Sequence, residues 1–270
     1  MHTLRSEDGT TIAYERAGSG PALILVDGAL CSRAFGPMPK LAPLLAPHFT
    51  VYTYDRRGRG DSTDAASYSV EREVADLAAL VRVAGGSAYA YGASSGGALI
   101  LHAAASGVPL TRLALYEPPF VTEGASGAEP DHVGQLRSLI AAGERGAAVK
   151  YFMGPMVGAP KPVVFMMQLM LPVWSKLKAV AHTLPYDATV MGNWLVPKER
   201  AAQVSAPSLV IYGGKTDERL RRAAEALSAA LPNAELRVLP GQNHAVAASA
   251  MAPVLREFFS AAGGSSAAAE

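Results

Sequence analysis

Hydrophobic residues fall along this chain in two rhythms. Continuous apolar or β-rich runs occupy residues 22–26, 50–54, 87–91, 112–116, 208–212 and 235–239, most of them bounded by Gly, Pro or Asp. Runs of this length without polar alternation suit strands buried on both faces, as in a parallel sheet. Ahead of them, residues 3–5 and 11–16 flank Asp8-Gly9 and read as a hairpin. Between the runs lie helix-like segments at 70–84, 217–231 and 248–261, the first with apolar residues at three- and four-residue spacing, and 98–105 opens a buried helix. Strand and helix alternate, which predicts an α/β fold: a doubly wound, mostly parallel sheet of eight strands with crossover helices on both faces.

The alternation stops between Pro118 and Pro207. Pro155, Pro160, Pro162, Pro172, Pro185 and Pro197 punctuate helix-like pieces there, and no strand pattern appears. We therefore expect an α/β core from residues 1–117 and 207–262, with 118–206 inserted as a helical cap over the carboxyl edge of the sheet. Its Phe152, Met153, Met156, Phe165, Met166, Met167, Met170, Trp174 and Trp194 fit either a small core of the insertion or an adaptable apolar pocket. Residues 263–270 are of low complexity and read as a flexible tail.

Composition narrows the function classes. Of 270 residues half are apolar, enough for a full core, and the formal charge of +1 with no Lys/Arg stripe gives no footprint for nucleic acid. No Cys/His spacing suits zinc, and Cys31 is the only cysteine, so no intrachain disulfide forms. The polar first nine residues lack the apolar run of a secretory signal, and 163–174, broken by Gln168 and Pro172, is too short to span a bilayer. These features lead us to expect a cytoplasmic protein without cofactor, metal, nucleic-acid or membrane partner; its oligomeric state stays open.

The most informative local pattern is Gly92-Ala93-Ser94-Ser95-Gly96-Gly97, a serine among small residues between a strand run and a helix. A strained strand-to-helix turn of this kind lifts one hydroxyl clear of the sheet. A phosphate loop is the rival reading, but it requires Gly-Lys followed by Ser or Thr, which is missing. Three further segments stand in a telling order: Leu25-Val26-Asp27-Gly28-Ala29 at a strand end, Tyr54-Asp55-Arg56-Arg57-Gly58-Arg59-Gly60-Asp61-Ser62 after the next strand, and Gly241-Gln242-Asn243-His244 after the last.

With these four motifs the chain resembles the α/β-hydrolase fold family, in its branch of capped esterases, cofactor-free haloperoxidases and epoxide hydrolases, from about residue 3 to residue 261. The resemblance implies a triad: Ser94 as nucleophile, His244 as base, and Asp217, after the strand run 208–212, as the acid. Glu117, at the end of the run 112–116, is the reserve acid, and Asp217 has a rival role as a helix N-cap. The backbone N–H groups of Ala29 and Ser95 are the expected oxyanion donors. His102 reads as a packed helix residue, while His2, His48, His132 and His182 fall away from the motifs.

Asp27 departs from the pattern, because the family usually has His before the glycine of that loop. A carboxylate there would oppose an oxyanion, so Asp27 is expected to turn away and accept hydrogen bonds from loop N–H groups. Cys31 reads as a small buried filler. The leading functional expectation is a serine hydrolase acting on carboxylic esters or related small apolar acyl substrates through an acyl-enzyme. Elbow serine rather than aspartate argues against dehalogenation and epoxide opening, whereas perhydrolysis uses the same triad. A lyase or cyclase, or a small-ligand binding protein on the same fold, are the alternatives; the first turns over without an acyl-enzyme, and the second binds without turnover.

Overall fold

The Asp8-Gly9 turn joins β1 (His2–Arg5) to β2 (Thr11–Ala17), antiparallel with Arg5 opposite Thr11. The structure, a computed structural model, describes residues 1–122 and 131–261. The alternating half follows as β3 (Ala22–Val26), α1 (Met38–Leu45), β4 (Thr50–Tyr54), α2 (Val70–Val83), β5 (Ala88–Ala93), α3 (Ser95–Ala105) and β6 (Leu110–Tyr116). The helical segments α4 (His132–Ala141), α5 (Arg145–Tyr151), α6 (Lys161–Leu169), α7 (Leu171–Val180), α8 (Leu184–Met191) and α9 (Lys198–Ala201) come next, then β7 (Ser208–Gly213), α10 (Glu218–Ala230), β8 (Ala234–Leu239) and α11 (Ala248–Ser260).

The eight strands form one sheet in the order β1-β2-β4-β3-β5-β6-β7-β8, parallel from β4 onward. The continuous apolar runs have a direct physical reason. In β3, Leu23 and Leu25 enter a core layer with α1 and α11, while Ile24 and Val26 enter the opposite layer with α2 and α3. Strands β6 and β7 divide in the same way, with Leu113 and Val210 on one face, Ala114 and Leu209 on the other. Successive side chains point to opposite faces, so a strand covered on both needs apolar residues throughout, each buried Leu or Ile contributing about 1.5–3 kcal/mol.

Helix α1 escapes the periodicity reading because Pro39 and Pro43 lie within its eight residues, yet Met38, Leu41 and Leu45 still bury one face. The prolines of the inserted segment act as starters more than breakers. Pro162, Pro172 and Pro185 occupy the first turns of α6, α7 and α8, where a missing N–H costs no helical bond. Between β6 and β7 the described residues contain only an isolated strand-like bridge, Val121 to Leu195. The Met and aromatic set divides: Met156 and Trp194 are buried, Phe152, Met153, Met167 and Trp174 pack partly buried against the core, and Phe165, Met166 and Met170 are exposed. The predicted tail at 263–270 lies outside the described residues.

Because β3 is flanked by β4 on one side and β5 on the other, the chain leaves it in opposite directions and opens a crevice at the carboxyl ends of the strands. Asp27, Ser94, Glu117 and the loop after β8 all sit on that edge.

Candidate active site

Ser94 follows β5 directly and carries φ 55° and ψ −130°, a left-handed conformation that costs a non-glycine residue roughly 1–3 kcal/mol. Its neighbours hold it there. The Ser94 N–H donates to the Tyr116 carbonyl at 2.8 Å, and its own carbonyl accepts from Gly97 N–H at 2.9 Å. The glycines are dictated by close approach: a Cβ on Gly92 would meet the Gly96 carbonyl at 2.6 Å, and one on Gly96 would meet the Val26 carbonyl at 2.3 Å. Gly28 lies against the serine itself, with 3.0 Å from a Cβ built there to the Ser94 Cβ.

His244 stands in the loop between β8 and α11, half exposed, with Nδ1 2.8 Å from Glu117 Oε2. Glu117 is fully buried at the end of β6 and has φ 44°. Its other oxygen, Oε1, accepts from Gly213 N–H at 2.8 Å and from the Thr216 hydroxyl at 2.5 Å. With Oε1 taken by these two donors, Oε2 is the oxygen left to face His244 Nδ1. The loop is fixed to the sheet by Tyr116 Oη donating to the Asn243 carbonyl at 2.5 Å and by Lys215 N–H donating to the Gln242 carbonyl at 2.8 Å.

Asp217, expected as the acid, is not the partner of His244. It is the N-cap of α10, with its carboxylate accepting from Leu220 N–H at 3.0 Å. The physical reason is that the turn from Gly213 to Thr216 aims its donors back at Glu117, filling the carboxylate position beside the histidine from β6. Glu117, the reserve acid, occupies it.

The N–H groups of Ala29 and Ser95 have no acceptor among the described residues, and the second is a first-turn helix donor. Asp27 differs from expectation. It is 4% exposed, and its Oδ1 has no hydrogen-bond partner among the described residues. Burial pushes its pKa up to about 8 against the pull of Arg59 and Arg56, with Asp55 adding to the rise. Burial of Asp27 thus favours its protonated form, and no loop N–H reaches its Oδ1 among the described residues. Cys31 sits beside it under Gly36, and burial with the Asp27 charge pushes its thiol up to about 12, consistent with an inert filler.

Behind the Asp27 loop lies a buried ionic cluster whose arginines stand in the motif at residues 54–62 but whose carboxylates, Glu73 and Asp187, no motif announces. Arg56 forks onto Glu73 with bonds of 2.5 and 2.9 Å and reaches Asp187 Oδ1 at 2.7 Å; Arg59 binds Asp187 Oδ2 at 2.6 Å. Two arginines and two carboxylates balance, and an ionised Asp27 would add an uncompensated negative charge. Burial alone would raise Asp187, but Arg59 and Arg56 hold it below the usual carboxylate range. The one sequence signal for Asp187 is its isolation, as the first acid after Glu144. The remaining five histidines are engaged elsewhere: His2 stacks on Tyr14, His48 meets the Phe49 ring, His102 Nε2 is 2.9 Å from the Val190 carbonyl, His132 Nδ1 meets the Tyr151 hydroxyl, and His182 lies near Asp64.

A doubly wound sheet with a strained serine after its middle strand and a histidine–carboxylate pair on the same edge defines a hydrolase architecture. The chain belongs to the alpha/beta hydrolase family, whose profile matches residues 18–257. An alpha/beta hydrolase from Sphaerobacter thermophilus DSM 20745 is similar at 51% identity, with a TM-score of 0.90 over 96% of this chain and 100% of its own. The enol-lactonase from Burkholderia xenovorans LB400 shares the fold at 20% identity and a TM-score of 0.72, covering 96% and 100% of the two chains. A thermophilic esterase from Thermogutta terrifontis does so at 18% identity and 0.68, covering 97% and 99%.

Proposed function

We propose that this protein is a serine hydrolase that cleaves carboxylic esters, or related acyl bonds, bearing an apolar group. The observation that carries the reading is the His244–Glu117 pair, which leaves Nε2 as a proton acceptor on the edge where Ser94 is held in its strained turn. His244 takes the Ser94 proton as Oγ attacks the acyl carbon. The carbonyl oxygen becomes an oxyanion that the N–H groups of Ala29 and Ser95 receive. Collapse expels the alcohol, protonated by His244, and leaves an ester on Ser94. Water then gives its proton to His244 as it attacks the same carbon, and His244 passes that proton to Ser94 Oγ as the acid leaves and the serine is restored.

Helix α8 supports a capping role for residues 118–206, since its Asp187 accepts from the Ser95 hydroxyl at 2.7 Å, one residue past the nucleophile. The esterase and enol-lactonase act on esters by their names, but at 18% and 20% identity they carry the fold alone, so the reading rests on the site.

Treatment with a fluorophosphonate, with S94A as control, tests it. We expect one adduct per chain on Ser94, and p-nitrophenol release from short and medium acyl esters that S94A lacks. Labelling and turnover retained in S94A would end the proposal. Turnover of another substrate with no adduct would favour a lyase or cyclase, and ligand binding without turnover a binding protein.

A further inference from the structure

We infer that Asp187, on inserted helix α8, is a positioning residue that sets the direction of both oxyanion donors from behind the site. The inference rests on the serine-hydrolase reading and deepens it. The fully buried carboxylate makes three contacts: Oδ1 accepts from Arg56 Nη1 and from the Ser95 hydroxyl, each at 2.7 Å, and Oδ2 accepts from Arg59 Nη2 at 2.6 Å. Both arginines continue to the loop after β3. Arg59 Nη1 donates to the Gly28 carbonyl at 2.7 Å, and Arg56 Nη1 approaches the Asp27 carbonyl at 3.3 Å.

A trans peptide plane carries its C=O and the following N–H on opposite sides. Pinning the Gly28 carbonyl to Arg59 therefore turns the Ala29 N–H away from the arginine. The side left to it is that of Ser94, against which Gly28 is packed. The Ser95 hydroxyl, tied to the same carboxylate, anchors the residue whose N–H is the second donor. One carboxylate thus holds both halves of the hole, through Arg59 to Ala29 and directly to Ser95.

A purely structural role for the cluster is the competing account. Buried ion pairs contribute little net stability relative to apolar packing, and an apolar contact would dock α8 as well. What packing cannot supply is a fixed direction for a carbonyl group. Arg59 meets that need with a rigid guanidinium fork, one arm on Asp187, one on the Gly28 carbonyl, and Nε 3.1 Å from the Thr183 hydroxyl. The balance of two arginines against Glu73 and Asp187 keeps the fork in place without net charge beneath the hole.

The test compares wild type with D187N, R59K and S95A. Measured are kcat and KM on a p-nitrophenyl ester, the rate ratio for matched oxo and thiono esters, the affinity for a trifluoromethyl ketone that forms a tetrahedral adduct, and Tm. D187N keeps an acceptor for Arg56 and Ser95 but turns an amide toward Arg59. Loss of one oxyanion donor costs on the order of 10²–10³-fold in kcat, so D187N and R59K are expected to lose roughly tenfold to a hundredfold of kcat with KM within about twofold. Ketone affinity should fall in parallel, and the oxo-over-thiono preference should shrink. S95A, which keeps its backbone N–H and is the mildest change to folding, should show the same pattern at smaller size.

A folded D187N with wild-type kcat and ketone affinity would overturn the inference. So would losses that track only the folded fraction, with the oxo-to-thiono ratio unchanged. If D187N does not fold, R59K and S95A decide by the same ratio. Failure of the wild type to take up a fluorophosphonate would instead remove the underlying serine-hydrolase reading.

Discussion

The identity of the acid can be tested by a pair of substitutions whose effects should separate completely. In E117Q the Gln carbonyl oxygen would take over the Gly213 N–H and Thr216 hydroxyl bonds, since the backbone N–H of Gly213 can only donate and so fixes the oxygen on that side. The amide NH₂ then faces His244 Nδ1, where Glu117 Oε2 now stands at 2.8 Å. Two donors cannot share that contact, so the imidazole must take the other tautomer, with its proton on Nε2 and no lone pair for Ser94. The equivalent carboxylate-to-amide change in a Ser-His-Asp triad costs about 10⁴ in kcat, which is ~5.5 kcal/mol of barrier at 1.36 kcal/mol per tenfold. Folding should be little disturbed, because the volume and both backbone-side donors are kept. D217A removes only the carboxylate that caps α10 at Leu220 N–H. A lost cap costs about 1 kcal/mol, or roughly 2–4 °C in Tm for a chain of this size class, and kcat should stay within about twofold. Initial rates of p-nitrophenyl ester hydrolysis and thermal melts of both variants suffice. If E117Q keeps more than a tenth of the activity, or D217A loses as much as E117Q, the assignment of Glu117 is wrong.

Two other perturbations follow from the crowding and charge of the site. Asp27 holds its proton in the folded protein up to about pH 8, against 3.8 when unfolded. Between those values unfolding releases a proton, so stability should fall as pH rises, by at most ~1.4 kcal/mol per pH unit; D27N lacks this slope. Urea midpoints at pH 5, 6, 7 and 8 should show D27N gaining on wild type, and a constant gap would mean that Asp27 is ionised when folded. G96A places a Cβ 2.3 Å from the Val26 carbonyl, backbone against backbone. We expect a loss at or above the usual 1–3 kcal/mol of overpacking and a drop of more than about tenfold in ester turnover as the elbow shifts; a melt and rates equal to wild type would show that the elbow is not as tight as described.

The sheet was legible because its residues obey a local rule. Leu23 and Ile24 enter opposite core layers, so both must be apolar, and the run 22–26 declares a strand without help from the rest of the chain. The strained Ser94 turn was legible for a related reason: the glycines at 92 and 96 are required by contacts within one turn and the adjoining strand end, and they leave a short pattern around Ser94. The acid was not. Glu117 and Asp217 both follow strands at the carboxyl edge, and what separates them is where Gly213 N–H and the Thr216 hydroxyl point, a matter of backbone direction that residue types do not record. Asp187 is further still from local rules, 92 residues from Ser95 and 131 from Arg56, with contacts that exist only once α8 has docked.

This ordering bears on how the site works. Ser94 and His244 sit on the sheet edge by virtue of β5, β6 and β8, whereas the Gly28 carbonyl is held by Arg59, whose counter-charge is Asp187 on the inserted helix α8. Removing that counter-charge would leave the buried Arg59 guanidinium held only by the Gly28 carbonyl and the Thr183 hydroxyl, with no carboxylate to fix its fork. The Ser94 turn, held within the sheet edge, can thus stay intact while the Gly28 loop loses its anchor. On the proposed serine-hydrolase reading, substitutions at Asp187 are expected to act on the rate of turnover rather than only on which substrates enter, because the carboxylate that ties Arg59 to the Gly28 loop is carried on α8.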